Sequence, residues 1–190
     1  MKLENNFVVP ASRKQAWDLL MDVPRIVPCM PGATLTDEIS DHEWKAEMAV
    51  KLGPIALTFD TQVLRESSDE SAGSVVLSVV AREKRARGRA QARIESSLSD
   101  NGEGTRVDIV TDLTLAGAVA QYGRGVVADV SAQMVQKFAE NLRAQLAAST
   151  PEEAAAALAQ AAKPVSGMRI GLRALLRTAV RALQRPFRRR

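Results

Sequence analysis

Residues 43–63 read EWKAEMAVKLGPIALTFDTQV. Trp44, Ala46, Met48, Val50 and Leu52 alternate with Lys45, Glu47 and Lys51, and Ile55, Leu57, Phe59, Thr61 and Val63 repeat the alternation after Gly53-Pro54. A period of two, apolar on one side only, marks strands with one wet face. Two such runs around a Gly-Pro turn predict an antiparallel hairpin. The pattern continues outward. A polar turn at 67–73 precedes Val75, Leu77, Val79 and Ala81, and a further strand spans about 86–98. Asn101-Gly102 with Gly104 makes the next hairpin turn, and Val107, Ile109, Thr111, Leu113 and Leu115 complete the sheet.

Upstream, Lys2–Val9 reads as a first strand, and Pro10 opens a helix at 11–21. Ser12 suits the N-cap, and Ala16, Trp17, Leu19 and Leu20 face the core. Pro24, Pro28 and Pro31 divide DVPRIVPCMPGA (22–33) into short turns. Downstream, a long helix begins near Gln121, with Val127, Val130, Met134, Phe138, Leu142 and Leu146 as its expected buried stripe. The predicted class is α+β: a curved antiparallel sheet wrapped around a long C-terminal helix, the helix-grip arrangement.

The end of the chain has a different chemistry. Residues 168–190, MRIGLRALLRTAVRALQRPFRRR, contain eight arginines, and no Asp or Glu follows Glu153. The chain carries +4 in all, and nine cations follow Glu153, so residues 1–153 carry −5. On a helical wheel Leu172, Leu175, Leu176, Val180 and Leu183 share one face, flanked by Arg173, Arg177 and Arg181. Pro186 stops the helix, and Phe187 and Arg188 add a last interfacial contact. This is a basic amphipathic helix of the kind that lies in a headgroup plane. Each cation near an anionic leaflet contributes about 1 kcal/mol. Three other readings stay open: a surface helix packed on its own domain, a phosphate-tracking helix on nucleic acid, and a helix in a partner's groove. The leucine face has no use on a phosphate backbone, so the membrane is the preferred partner.

The expected organisation is therefore a domain at 1–148, an Ala- and Pro-containing linker at 149–167, and a membrane-binding helix at 168–190. The longest uncharged run after Glu153 is AAAALAQAA, nine residues, far short of the ~20 needed to span a bilayer. MKLENNFVV lacks the basic start and apolar core of a signal peptide. Cys29 is the single cysteine, so no internal disulfide forms and a reducing compartment is expected. The predicted location is cytoplasmic, peripheral on the inner face of the cell membrane.

One strand is unusual. Ala86, Gly88, Ala90 and Ala92 succeed each other on its core face, and only Ile94 is large. Either the long helix packs unusually close there, or an apolar ligand occupies the space. The pocket candidates are Met48, Val50, Leu57, Phe59, Leu77, Val79, Gly88, Ala90, Tyr122, Val127, Val130 and Met134. No catalytic constellation accompanies them. His42, the one histidine, sits in a polar Asp41-His42-Glu43 turn. One His and one Cys do not build a zinc site, and no P-loop or dinucleotide fingerprint is present. Gln121-Tyr122-Gly123-Arg124-Gly125 is read as a strand-to-helix turn. Tyr122 either packs or bonds a ligand carbonyl, and Arg124 is either solvated or an anion holder.

Several of these pieces resemble the CoxG family, the G-type subunits of carbon monoxide dehydrogenase, within the START-like (SRPBCC) superfamily. They are Pro10 leading into Ala16-Trp17-Asp18-Leu19-Leu20, then Asp22 and Pro24, then Cys29-Met30-Pro31-Gly32-Ala33. Val50-Lys51-Leu52-Gly53-Pro54-Ile55 and Gln121-Tyr122-Gly123-Arg124, opening a helix with Met134 and Phe138, are similar too. Tyr122 stands where Phe is common in the family, and Thr61 where Gly is common. The resemblance implies a hydrophobic cavity and association with a CO dehydrogenase-like molybdenum hydroxylase, often by recruitment to the membrane. It gives Cys29, Pro31 and Gly32 a structural role at the cavity rim.

The resulting expectation is a non-enzymatic protein that binds a hydrophobic ligand and recruits such a hydroxylase to the membrane. The expected ligand is a respiratory quinone or another lipophilic small molecule, with no covalent cofactor and no metal. The alternatives are a general lipid- or polyketide-binding START-like protein, a ligand-free membrane adaptor, and a START-like cyclase or hydrolase.

Overall fold

The computed structural model describes residues 1–52, 55–85 and 88–148, with 152, 153, 156 and 158. The Gly53-Pro54 turn, Ala86, most of the linker and the whole segment 168–190 with its membrane-binding candidates lie outside the described residues. Seven strands form one antiparallel sheet: β1 (Lys2–Val9), β2 (Ala33–Ser40), β3 (Glu43–Leu52), β4 (Ile55–Asp69), β5 (Ser74–Glu83), β6 (Gly88–Asp100) and β7 (Thr105–Gly117). Their order is β1-β7-β6-β5-β4-β3-β2. Strands β2 to β7 are a meander, and β1 returns to the far edge to pair with β7. Register shifts between Leu35 and Asp37, Glu38 and Ser40, and Arg65 and Ser67 are bulges, which bend and twist a sheet. Helix α1 (Arg13–Met21), the short α2 (Val23–Ile26) and a 3-10 turn at Val27–Cys29 connect β1 to β2. A second 3-10 turn, Ala118–Tyr122, leads from β7 into α3 (Gly123–Ala147), 25 residues long. Sheet and long helix together are the helix-grip fold expected from the sequence.

Local chemistry explains the entry points. Ser12 caps α1 in a reciprocal box: its Oγ accepts from the Gln15 amide, and the Gln15 Oε1 accepts from the Ser12 amide at 3.1 Å. The proline-rich stretch is more regular than loose turns, because Pro24 and Pro28 occupy the first turns of α2 and the 3-10 segment, where a missing N–H costs nothing. Gly32 has φ +81°, and a Cβ there would stand 2.1 Å from the Ala49 carbonyl oxygen. Its own carbonyl accepts from the Ala49 amide at 2.8 Å. Only glycine permits that crossing of backbones, which fixes β2 against β3.

The larger core cluster joins Phe7, Val9, Trp17, Leu19, Leu98 and Val107 to Phe138, Ala139 and Leu142 of α3. Phe7 and Phe138 meet edge-on, with ring centroids 5.8 Å apart at 78°. The Arg143 guanidinium donates to the Val8 carbonyl at 2.9 Å. The helix therefore lies across β1, gripped by its C-terminal half. Its buried residues differ from the expected stripe. Phe138 and Leu142 are buried, whereas Val127, Val130, Met134 and Leu146 are only half-buried, and Ala139, Asn141 and Gln145 are buried beside them.

Candidate functional site: the space between sheet and helix

The sheet's register decides which side chains face α3. On β6, Ala90 and Leu98 pack into the interior, and the pairing is unbroken from Gly88 to Asp100. Alternation then places Ala92, Ile94 and Ser96 on that same concave face. Their partners on β5 are Val79 for Ala92 and Leu77 for Ile94, and on β7 Leu113 for Ala92. A row of small residues crosses four strands: Ala46 opposite Thr61, Thr61 opposite Ala81, and Ala81 opposite Ala90. The sequence shows the small run on β6 alone; aligning the hairpins on their turns would have shown the rest. Within this row the Thr61 hydroxyl is buried and has no hydrogen-bond partner among the described residues.

The residues at the middle of this face are only partly buried. Leu77 and Val79, which point inward, are half-buried. Val76 and Val80, which alternate with them on the outer face, are also half-buried. Ala92, Ile94 and Leu113 are half-buried as well, as are Val127, Val130 and Met134 on the facing side of α3. These partly buried apolar residues of the sheet and of α3 make up the candidate ligand region. At its other end Leu57, Phe59, Ala81 and Val119 form a second, separate buried cluster, with Met48, Val50, Ala90, Leu115 and Tyr122 packed against it. Of the twelve pocket candidates, Leu77, Val79, Val127, Val130 and Met134 are among these partly buried residues. Met48, Val50, Leu57, Phe59, Ala90 and Tyr122 gather at this end cluster. Gly88 is filled by protein: a Cβ there would come 2.8 Å from a Val119 methyl. Close packing holds at Gly88, whereas Ala92 belongs to neither buried cluster.

Two depressions elsewhere, among the described residues, are surface features. One of about 320 Å³ lies at Met21, Asp22, Glu38 and Trp44, and one of about 470 Å³ beside Ser12 and Asp100. Trp44 is buried beneath Arg65, whose guanidinium carbon is 5.1 Å from the ring centroid.

Cys29 sits in the closed core rather than at a rim, fully buried. Its thiol donates to the Gln145 Oε1 at 3.2 Å, and its carbonyl accepts from the Asn141 Nδ2 at 2.9 Å. Burial pushes the thiol up to about 11, against a small opposing pull from Arg25, so it is a poor nucleophile. The Asn141 Oδ1 has no partner among the described residues. His42 is exposed in the β2–β3 turn, and Arg124 is exposed with an Nη2 3.5 Å from the Lys2 carbonyl. Among the described residues no three His, Cys, Asp or Glu side chains gather as metal ligands, and no helix is long and apolar enough to cross a membrane.

Residues 6–147 match the family of G-type carbon monoxide dehydrogenase subunits, CoxG. The chain belongs to the CoxG family. Among solved structures it is similar to a conserved protein from Geobacillus kaustophilus, with a TM-score of 0.70 at 17% identity over 77% of this chain and 95% of that one. A protein from Thermus thermophilus gives a TM-score of 0.55 at 13% identity, covering 83% of this chain and 99% of that one. Both likenesses concern the fold. None of the curated proteins matches this sequence. Membership of the CoxG family gives the Pro-Cys-x-Pro-Gly segment a physical reading. Cys29 ties the segment to α3, and Gly32 lets it cross β3.

Proposed function

We propose that this CoxG-family protein is a non-catalytic carrier and recruiter. Its domain holds a lipophilic molecule between sheet and α3, and residues 168–190 hold it on an anionic membrane. The partial burial between sheet and α3 carries the first half of this reading: inward-facing Leu77, Val79, Ala92 and Leu113, and Val127, Val130 and Met134 of α3, all stop short of full burial. The family's description as a subunit of carbon monoxide dehydrogenase supports a hydroxylase of that kind as the partner. Such an enzyme in the cytoplasm releases electrons that must reach an acceptor dissolved in hydrocarbon. A respiratory quinone fits the chemistry of this region: an apolar body along Leu77, Val79, Leu113 and Met134, with a carbonyl able to accept from the Thr61 hydroxyl, which has no partner among the described residues. The domain 1–148 is then the carrier, 149–167 the tether and 168–190 the foot, at the inner face of the cell membrane.

Native mass spectrometry of protein eluted from host membranes tests the carrier. A bound quinone or other lipid is expected, and repeated elution of ligand-free protein would leave a plain adaptor. Deleting 168–190 tests the foot: the membrane-bound fraction should fall, and an unchanged fraction refutes it.

A further inference from the structure

One end of the domain brings together the adjoining ends of β3 and β4 and of β5 and β6, the 3-10 turn Ala118–Tyr122 and the start of α3. Leu52 pairs with Ile55, Phe59 with Glu83 and Gly88 with Gly117, and Val119 wedges onto Gly88. This end exposes two large apolar side chains, Ile55 at 43% and Val126 at 45%. It also exposes Lys51, Arg82, Lys84, Arg85, Arg89 and Arg124. Against these stand Glu47, Asp60 and Glu83, with Asp129 one turn along α3 from Val126. Lys84 binds Glu47 at 2.5 Å and Asp60 at 3.1 Å, and the Glu83 carboxylate accepts from the Arg85 amide. The opposite end holds the β2–β3, β4–β5 and β6–β7 turns and carries Asp41, Glu66, Asp69, Glu70, Asp100 and Glu103. A body whose residues 1–153 sum to −5 therefore has a cationic pole; Ile55 and Val126 are exposed within it beside the end cluster, whereas the exposed Ile39 and Leu64 stand near the β2–β3 turn, among acids.

We infer that this pole is a second membrane-docking face, distinct from residues 168–190. Ile55 and Val126 enter the headgroup layer, and the cations around them pair with anionic lipid phosphates. Exposed apolar residues inside a cationic collar suit a bilayer surface, whose charge is anionic and whose depth is apolar. With this end pressed to the leaflet, the Leu57–Phe59–Val119 cluster becomes the barrier between hydrocarbon and cleft, so the face extends the carrier function proposed above and rests on it.

The full chain is labelled at single introduced cysteines with an environment-sensitive fluorophore; buried Cys29 stays unlabelled. The positions are Ile55→Cys and Val126→Cys at the pole, Ile39→Cys on β2, away from it, and Leu175→Cys in the basic segment. Phosphatidylglycerol vesicles should blue-shift the emission at 55, 126 and 175 and leave 39 unchanged; phosphatidylcholine vesicles should shift none. Lys51→Glu and Arg85→Glu should each weaken vesicle binding roughly fivefold or more. A shift at 175 alone overturns the docking face and leaves the foot intact. No shift at any position overturns both. A shift at 55 and 126 with a purified CO dehydrogenase-like hydroxylase, but not with vesicles, makes the pole a protein interface and also overturns the inference.

Discussion

Filling the cleft distinguishes an open interior from a tightly packed one by the sign of a stability change. Ala92 lies on the concave face, half-buried between Val79 and Leu113. Ala92→Leu adds three carbons there. Burying them into unfilled apolar space contributes about 0.8 kcal/mol each. With incomplete coverage the variant should gain about 1–2 kcal/mol. Were the helix packed tightly on Ala92, the same change would overfill the core and cost about 1–3 kcal/mol. Ala139→Leu supplies the comparison, because Ala139 is buried in the closed cluster beside Phe138 and Leu142; it should lose about 1–3 kcal/mol. Urea unfolding followed through buried Trp17 and Trp44 reads both. At a slope of about 2 kcal/mol/M the two midpoints should separate by about 1 M or more, in opposite directions from the parent. Equal lowering of both midpoints refutes an open cleft. Retention of a lipid by Ala92→Leu at parental levels would place the ligand elsewhere.

The remaining predictions concern what holds the frame. Gly32→Ala should cost about 3 kcal/mol or more, since its φ is positive and the new Cβ meets the Ala49 carbonyl oxygen; an unfolding midpoint near the parent's refutes the crossing. Ser12→Ala removes one half of the α1 capping box and should cost about 1 kcal/mol at an unchanged denaturant slope. Cys29 titrates near 9 in the unfolded chain and near 11 when folded, so the native state binds the extra proton. Stability should therefore be flat below pH 9 and fall by about 3 kcal/mol as pH rises through 11. Cys29→Ala should flatten that part of the pH profile, and a fall of the same size in the variant would assign it to other groups.

The sheet was legible because its strands each have one wet face. Trp44 through Val63 alternate cleanly, and the Gly53-Pro54 and Asn101–Gly104 turns set the hairpins. The α1 cap was legible for the same local reason: Ser12 and Gln15 are three residues apart. The seating of α3 was not. Periodicity gives a helix an apolar stripe from Val127 to Leu146, but where that stripe lands depends on long-range partners. Asn141 and Gln145 are polar by type and fall outside the stripe, yet both are buried because Cys29, at the end of its 3-10 turn, offers them a carbonyl and a thiol. The row of small residues was half legible. The small run on β6 pointed to it, but only cross-strand register joins Ala46, Thr61, Ala81 and Ala90 into one row and separates Gly88, which Val119 fills, from Ala92, which no buried cluster includes.

An apolar cleft tends to collapse, because each Å² of apolar surface withdrawn from water contributes about 25 cal/mol. Something must keep α3 from rolling down onto Leu77 and Val79. Apolar contacts are non-directional and would permit the roll. The polar contacts near the helix's C-terminal half do not. The Asn141 amide on the Cys29 carbonyl, the Cys29 thiol on Gln145 and the Arg143 guanidinium on the Val8 carbonyl each fix direction as well as distance, and breaking a buried one leaves a polar group without a partner. At the other end Val119, 3% exposed and wedged onto Gly88, acts as a spacer beneath the 3-10 turn that leads into α3. The helix is thus directed at one end and propped at the other, and the span between, from Val127 to Met134, is only partly buried. On the carrier reading proposed above, the residues that anchor the fold are also the ones that keep its centre open.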